Sequence, residues 1–214
     1  MLSAWAIASL TLLSGPTVVC HDLGTLAWDH RSDLETLYAQ GKTYVEFRDA
    51  ATRRVQAWND HYANAQVPDA LRTRLTGLSG AWRLLVVAED WCGDSANTIP
   101  YVAKLVDVAG NLDMRIINST EGRAIMESHR TPDDRAATPT VILLTEDFEE
   151  AGCFVERPRV LQHWWLSNED KLGEEERLDQ KYAWYAEDQG QETLEDIVAM
   201  IEAAAAGNPT CAGP

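Results

Sequence analysis

Glu89-Asp90-Trp91-Cys92-Gly93-Asp94-Ser95 is the stretch around which the chain is organised. Ahead of it run the apolar residues Leu84-Leu85-Val86-Val87-Ala88, the composition of a strand buried on both faces. Behind it, Ser95 to Ala109 has the pattern of a helix that ends at Gly110. A cysteine is thereby lifted out of a sheet and set on the first turn of a helix. Amide N–H groups without partners and the positive end of the helix dipole meet there. That setting favours a thiolate, the nucleophile of sulfur chemistry. The competing reading of Cys92 is a small buried hydrophobe. Gly93, Asp94 and Ser95 are turn and cap residues, which favour an exposed end.

Trp91-Cys92-Gly93 after a hydrophobic strand resembles the active-site turn of the thioredoxin superfamily. Pro100 stands eight residues after Cys92, where thioredoxins carry a proline that kinks the active-site helix. Thr138-Pro139-Thr140 opens the strand Val141-Ile142-Leu143-Leu144 and resembles the loop whose cis-proline faces the active sulfur. The resemblance covers roughly Asp33 to Ala205, a normal size for one domain. It implies an α/β sandwich, a central mixed sheet flanked by helices, with a helical N-terminal extension and a C-terminal helix. It also implies a site made of Cys92 and Ser95 with Trp91, Gly93, Asp94, Thr138 and Pro139 around the substrate.

Two departures qualify the activity. The second redox position is Ser95 rather than cysteine, so Cys92 can attack a disulfide but lacks the neighbour that would resolve the mixed disulfide. A hydrogen bond from Ser95 to the sulfur would favour the thiolate. Val86 stands where thioredoxins bury a proton-shuttling aspartate. The expected function is a single-cysteine thiol–disulfide oxidoreductase acting on protein thiols, protein disulfides or glutathione. The alternative is a redox-inactive module that binds peptides or proteins. No bound cofactor is implied, with glutathione as a candidate external thiol. The helix end favours a thiolate, while Glu89, Asp90 and Asp94 oppose it, and the two influences nearly cancel.

The 214 residues are 45% hydrophobic, enough for one compact core. A formal net charge of −16 repels phosphate backbones, which argues against nucleic acid as a partner. Cys20, Cys92, Cys153 and Cys211 have no short metal-ligand spacing, so no metal site is expected. Cys153 reads as a buried, inert thiol, and Cys20 and Cys211 as free to pair with each other or with partners. Residues 1–20 read as a candidate signal peptide: Leu2 to Leu13 is apolar and too short to span a bilayer. No Lys or Arg precedes that run, which weakens the signal. Export to the periplasm is slightly favoured, with cytoplasmic residence the close alternative.

Residues 21–31 read as a connector, 32–206 as one thioredoxin-like domain with 32–78 as its helical extension, and 207–214 as a loose tail. Ser32 and Glu35 have capping-box spacing. Thr43 to Ala63 is expected as one helix, with Tyr44, Phe47, Ala51, Val55 and Trp58 along its apolar face. His61 is expected on the surface or in a loop. Strands are expected over 82–88, 112–117, 141–144 and 151–156, and helices over 119–129 and 160–166. A last helix is stripe-packed by Leu194, Ile197, Val198 and Ile201. Arg130, Arg135, Arg157 and Arg159 flank the proposed groove, where one could hold a glutathione carboxylate. Surface ion pairing is the simpler use for them.

Overall fold

The computed structural model describes residues 30 to 212. The candidate signal peptide and Cys20 lie outside the described residues. The first strand, β1 (Trp82–Val87), is central. Leu84 and Val86 pack into one hydrophobic cluster, and Leu85 and Val87 into the other on the opposite face. Alternate side chains of a strand point to opposite faces, so a run apolar at every position needs cover on both. Parallel to β1 lies β2 (Leu112–Ile117), and antiparallel to it β3 (Thr140–Leu144). Next come β4 (Glu150–Val155) and β5 (Thr210–Ala212), giving a five-stranded sheet in the order β2-β1-β3-β4-β5. This mixed sheet, flanked by helices, is the α/β sandwich that the resemblance implies.

Four short helices precede the sheet: α1 (His30–Gln40), α2 (Tyr44–Ala50), α3 (Val55–Asn64) and α4 (Asp69–Thr76). Ser32 lies inside α1 rather than capping it, and its carbonyl accepts from the Thr36 hydroxyl at 2.8 Å. The capping box sits instead at α2, where Thr43 and Glu46 satisfy each other's backbone N–H groups. The single helix expected over Thr43–Ala63 is broken between α2 and α3, and Arg54 adopts a left-handed φ of 49°. The N–H groups of Thr52 and Arg53, freed by the break, donate to the Asp90 carboxylate at 2.7 and 3.0 Å. A tertiary contact therefore overrides a continuous amphipathic pattern.

The active-turn helix α5 (Gly93–Val108) contains Pro100. Proline has no N–H to give the carbonyl one turn back, Ala96. The His61 imidazole takes that role, with Nδ1 at 2.7 Å from the Ala96 oxygen and its ring stacked on Tyr101 at 5.7 Å. His61 is thus a half-buried residue of α3 rather than a surface or loop histidine. Helix α6 (Arg123–Ser128) is shorter than expected because Ser119 to Gly122 form a turn. After β4 come α7 (Arg159–Ser167), α8 (Glu174–Asp188) and α9 (Gln191–Ala205). The expected stripe of α9, Leu194, Ile197, Val198 and Ile201, is wholly buried.

The C-terminal end departs most from its sequence reading. Residues 210–212, read as part of a loose tail, form β5 parallel to β4, with Cys211 opposite Cys153. Gly152 permits this approach, because a Cβ there would stand 2.6 Å from the Thr210 carbonyl oxygen. The two sulfurs are bonded as a disulfide. Cys153 is accordingly not an inert thiol. Their separation of 58 residues is bridged only by the sheet, which no local pattern in the sequence announces.

Candidate functional site

Cys92 is the N-cap of α5. Its sulfur accepts from the Ser95 backbone N–H at 3.4 Å and its thiol donates to the Thr138 carbonyl at 3.1 Å. The register of β1 with β3, Val87 against Thr140, brings the turn after one strand beside the loop before the other. The Thr138–Pro139 peptide is cis. Cys92 and the Thr138-Pro139 loop, 46 residues apart in sequence, therefore meet. Cys92 is buried, with 9% of its surface left, rather than at the exposed end that Gly93, Asp94 and Ser95 suggested, and Trp91 beside it is 55% exposed. Among the described residues Cys92 is the free cysteine.

Ser95 does not act on the sulfur through its side chain. The residue is fully buried, and its hydroxyl has no hydrogen-bond partner among the described residues. The backbone N–H is the group that meets the sulfur. Val86 is fully buried in apolar surroundings, so no carboxylate lies beneath the site at that position.

The three acids expected to crowd the sulfur are each engaged elsewhere. Glu89 accepts from the Ser119 N–H at 2.8 Å and its hydroxyl at 2.5 Å. Asp90 clasps Thr52 and Arg53. Burial alone would raise its carboxyl, but those N–H donors outweigh it and hold the group below the usual range. Asp94 is 7% exposed and points away from solvent. Lys181 Nζ lies 3.1 Å from it, the Tyr185 hydroxyl donates to it at 2.9 Å, and the Arg157 guanidinium lies at 3.6 Å. Asp94 is therefore a structural anion, not a wall of a substrate groove. Burial first, and then the Asp94 charge, push the Tyr185 phenol well above its ordinary range.

This buried knot extends outward. Arg157 pairs with Glu156 at 2.5 Å, and Glu156 with Arg135 at 2.8 Å. The Trp165 ring lies beneath Arg157 at 4.5 Å, Arg177 at 4.1 Å and Lys181 at 5.3 Å, an arrangement of cations on an aromatic face. All four arginines expected to flank the groove are ion-paired: Arg130 with Glu127 and Asp134, Arg135 with Asp133 and Glu156, Arg157 as above, and Arg159 with Asp196.

Gly93 makes room for a protein side chain rather than for substrate. A Cβ on it would stand 2.1 Å from the Tyr182 hydroxyl. Arg54 completes that side, with Nε donating to the Trp91 carbonyl at 2.8 Å and its guanidinium 5.8 Å from the Tyr182 ring. Arg54, Lys181, Tyr182 and Tyr185 border the turn without having been legible in the sequence. The one available signal was that Lys181 and Tyr185 stand a helical turn apart, and so share a face of α8.

A strand, an N-capping cysteine, a helix carrying a proline, and a cis-proline loop set against the sulfur together define a thioredoxin-type scaffold. The sequence profile of a family described as Thioredoxin matches residues 41–177, and the chain belongs to that family. A protein of unknown function from Pseudomonas aeruginosa, solved as a crystal structure, is 24% identical; the similarity covers 78% of this chain and 96% of that one, with a TM-score of 0.64. An HIV epitope scaffold is 23% identical over the same shares, with a TM-score of 0.61. Both likenesses concern the fold. No curated protein sequence matches this chain. Among the described residues no helix is long and apolar enough to cross a membrane.

Proposed function

We propose that the protein is a single-cysteine thiol–disulfide oxidoreductase that forms mixed disulfides through Cys92. The observation that carries this reading is the placement of the Cys92 sulfur at the N-terminus of α5, 3.1 Å from the Thr138 carbonyl. As a thiolate, Cys92 attacks one sulfur of a substrate disulfide. A new S–S bond forms, and the other substrate sulfur leaves as a thiolate. The helix N-terminus and the Ser95 N–H stabilise the charge on Cys92 before attack. Trp91 forms an apolar wall for the approaching chain. With Ser95 in the second position, an external thiol such as glutathione releases the adduct, attacking the mixed disulfide and restoring the Cys92 thiolate.

The second reading is a redox-inactive peptide-binding module. The small exposed area of Cys92 beside a largely exposed Trp91 favours it. Intact-mass measurement after incubation with glutathione disulfide separates the two. In a chain carrying Cys20→Ser, the oxidoreductase reading expects one glutathionyl group, removed by added thiol and lost when Cys92→Ser is added. A Cys20→Ser chain that stays unmodified at Cys92 leaves the binding module as the function.

A further inference from the structure

A second sulfur centre lies away from Cys92, on the β4–β5 edge of the sheet. Cys153 and Cys211 are joined there, and an imidazole nitrogen of His129, at the end of α6, lies within 4.8 Å of both sulfurs. All three residues line one cavity of about 310 Å³. Cys153 is buried and Cys211 is exposed. We propose that His129, Cys153 and Cys211 form a site for a thiophilic divalent cation, Zn2+ above all, which the disulfide keeps closed and reduction opens.

Two thiolates and one imidazole are the donors that borderline-soft ions select. The His129 ring is held at both nitrogens. Nδ1 lies 2.9 Å from the Ile125 carbonyl oxygen, and Nε2 lies 2.7 Å from Glu150 Oε1. Nδ1 also lies 3.0 Å from the Ser128 hydroxyl. The nitrogen that ligates gives up its present partner, and the other stays on a carbonyl or a carboxylate, the outer-shell partners that orient metal-bound histidines. The cavity gives space for an ion and a water as fourth ligand. Arg130, Arg157 and Arg159 also line it, but each is already paired with an acid, so the cavity is not a field of unpaired positive charge.

The chemistry balances as follows. A dithiol reductant gives two electrons and two protons to the Cys153–Cys211 bond, becomes a disulfide itself, and leaves two thiols on the protein. Zn2+ then displaces the two thiol protons, which leave to solvent together with any proton on the ligating His129 nitrogen, and forms two Zn–S bonds and one Zn–N bond. Reoxidation by a small-molecule disulfide, which takes up the two electrons and two protons and leaves as two thiols, re-forms the Cys153–Cys211 bond, removes both thiolates and ejects the ion.

The test uses the full chain with Cys20→Ser and Cys92→Ser, so that only this sulfur pair remains. The protein is reduced with a phosphine, which is then removed, and Zn2+ is titrated against a chromogenic chelator. Co2+ in place of Zn2+ reports thiolate ligation by its near-ultraviolet charge-transfer absorption. The expected result is one ion per reduced chain and none per oxidised chain, with cobalt–thiolate absorption. His129→Ala should weaken binding at least about tenfold, as losses around a metal site do, while circular dichroism stays that of the parent. The proposal is overturned if the reduced chain takes no more Zn2+ than the variant with Cys153→Ser and Cys211→Ser. Binding unchanged by His129→Ala overturns it, and so does loss of the fold on reduction, because the site needs α6 and β4 in place.

Discussion

Cys92 and Asp94 stand two residues apart in one turn and have opposite fates. Cys92 faces the Thr138-Pro139 loop, keeps a sliver of surface, and lies beside the exposed Trp91. Asp94 turns inward and is locked by Lys181, Tyr185 and Arg157, all of them buried. The sulfur side is built almost wholly from backbone: a helix end, one N–H and one carbonyl. The carboxylate side is built from side chains contributed by α8 and by the segment after β4. A turn rich in small polar residues is therefore not uniformly exposed. Half of it sets a sulfur against the Thr138-Pro139 loop, and the other half fastens α8 and Arg157 to the first turn of α5.

The sharpest way to break this comparison is Asp94→Ala. Removing one partner of a buried ion cluster leaves the others uncompensated, which costs about 3–5 kcal/mol. Chemical denaturation should show that loss, and a cost below about 1 kcal/mol would mean Asp94 is solvated. Tyr185→Phe removes one neutral donor to the same carboxylate and should cost about 1–2 kcal/mol. Gly93→Ala forces the Tyr182 ring away and should cost about 1–2 kcal/mol by overpacking. The pair Gly93→Ala with Tyr182→Ala should recover part of that loss in a double-mutant cycle, and strict additivity would refute the contact.

Acid should loosen the sulfur side through Asp90. Its carboxyl is depressed in the folded chain, so the clasp on Thr52 and Arg53 contributes fully above the unfolded value of about 4. That contribution is lost as pH falls through the folded value. Asp90→Asn should flatten this part of the stability profile below pH ~4, and an unchanged profile would detach Asp90 from it. The smallest stability effect is expected at the second redox position. Ser95→Cys replaces a hydroxyl that has no hydrogen-bond partner among the described residues and should change stability by no more than about 1 kcal/mol. Its chemical effect is larger: the glutathionyl adduct on Cys92 should clear without added thiol, as read by mass. A persistent adduct would place residue 95 out of reach of the mixed disulfide.

Much of the scaffold could be read locally. The apolar run of β1, the turn at Cys92, the strand after Thr138-Pro139 and the stripe of α9 each carry their own period or punctuation, because burial on one or two faces writes itself into neighbouring residues. The union of Cys92 with the Thr138-Pro139 loop was legible only through family resemblance. The partners of Asp94 were not legible beyond the shared α8 face of Lys181 and Tyr185, which lie 87 and 91 residues away.

By itself, then, the sequence determined the order of strands and helices around Cys92, the absence of a second cysteine at position 95, and a family membership that most of the chain supports. Tertiary structure alone decided that the helix expected over Thr43–Ala63 breaks to clasp Asp90, that Asp94 is internal, and that Cys153 and Cys211 are joined across β4 and β5. The physical reason is the same in each case. Periodicity records which face of an element is apolar, but a hydrogen bond, ion pair or disulfide between distant residues depends on where the sheet register and helix packing bring two particular atoms.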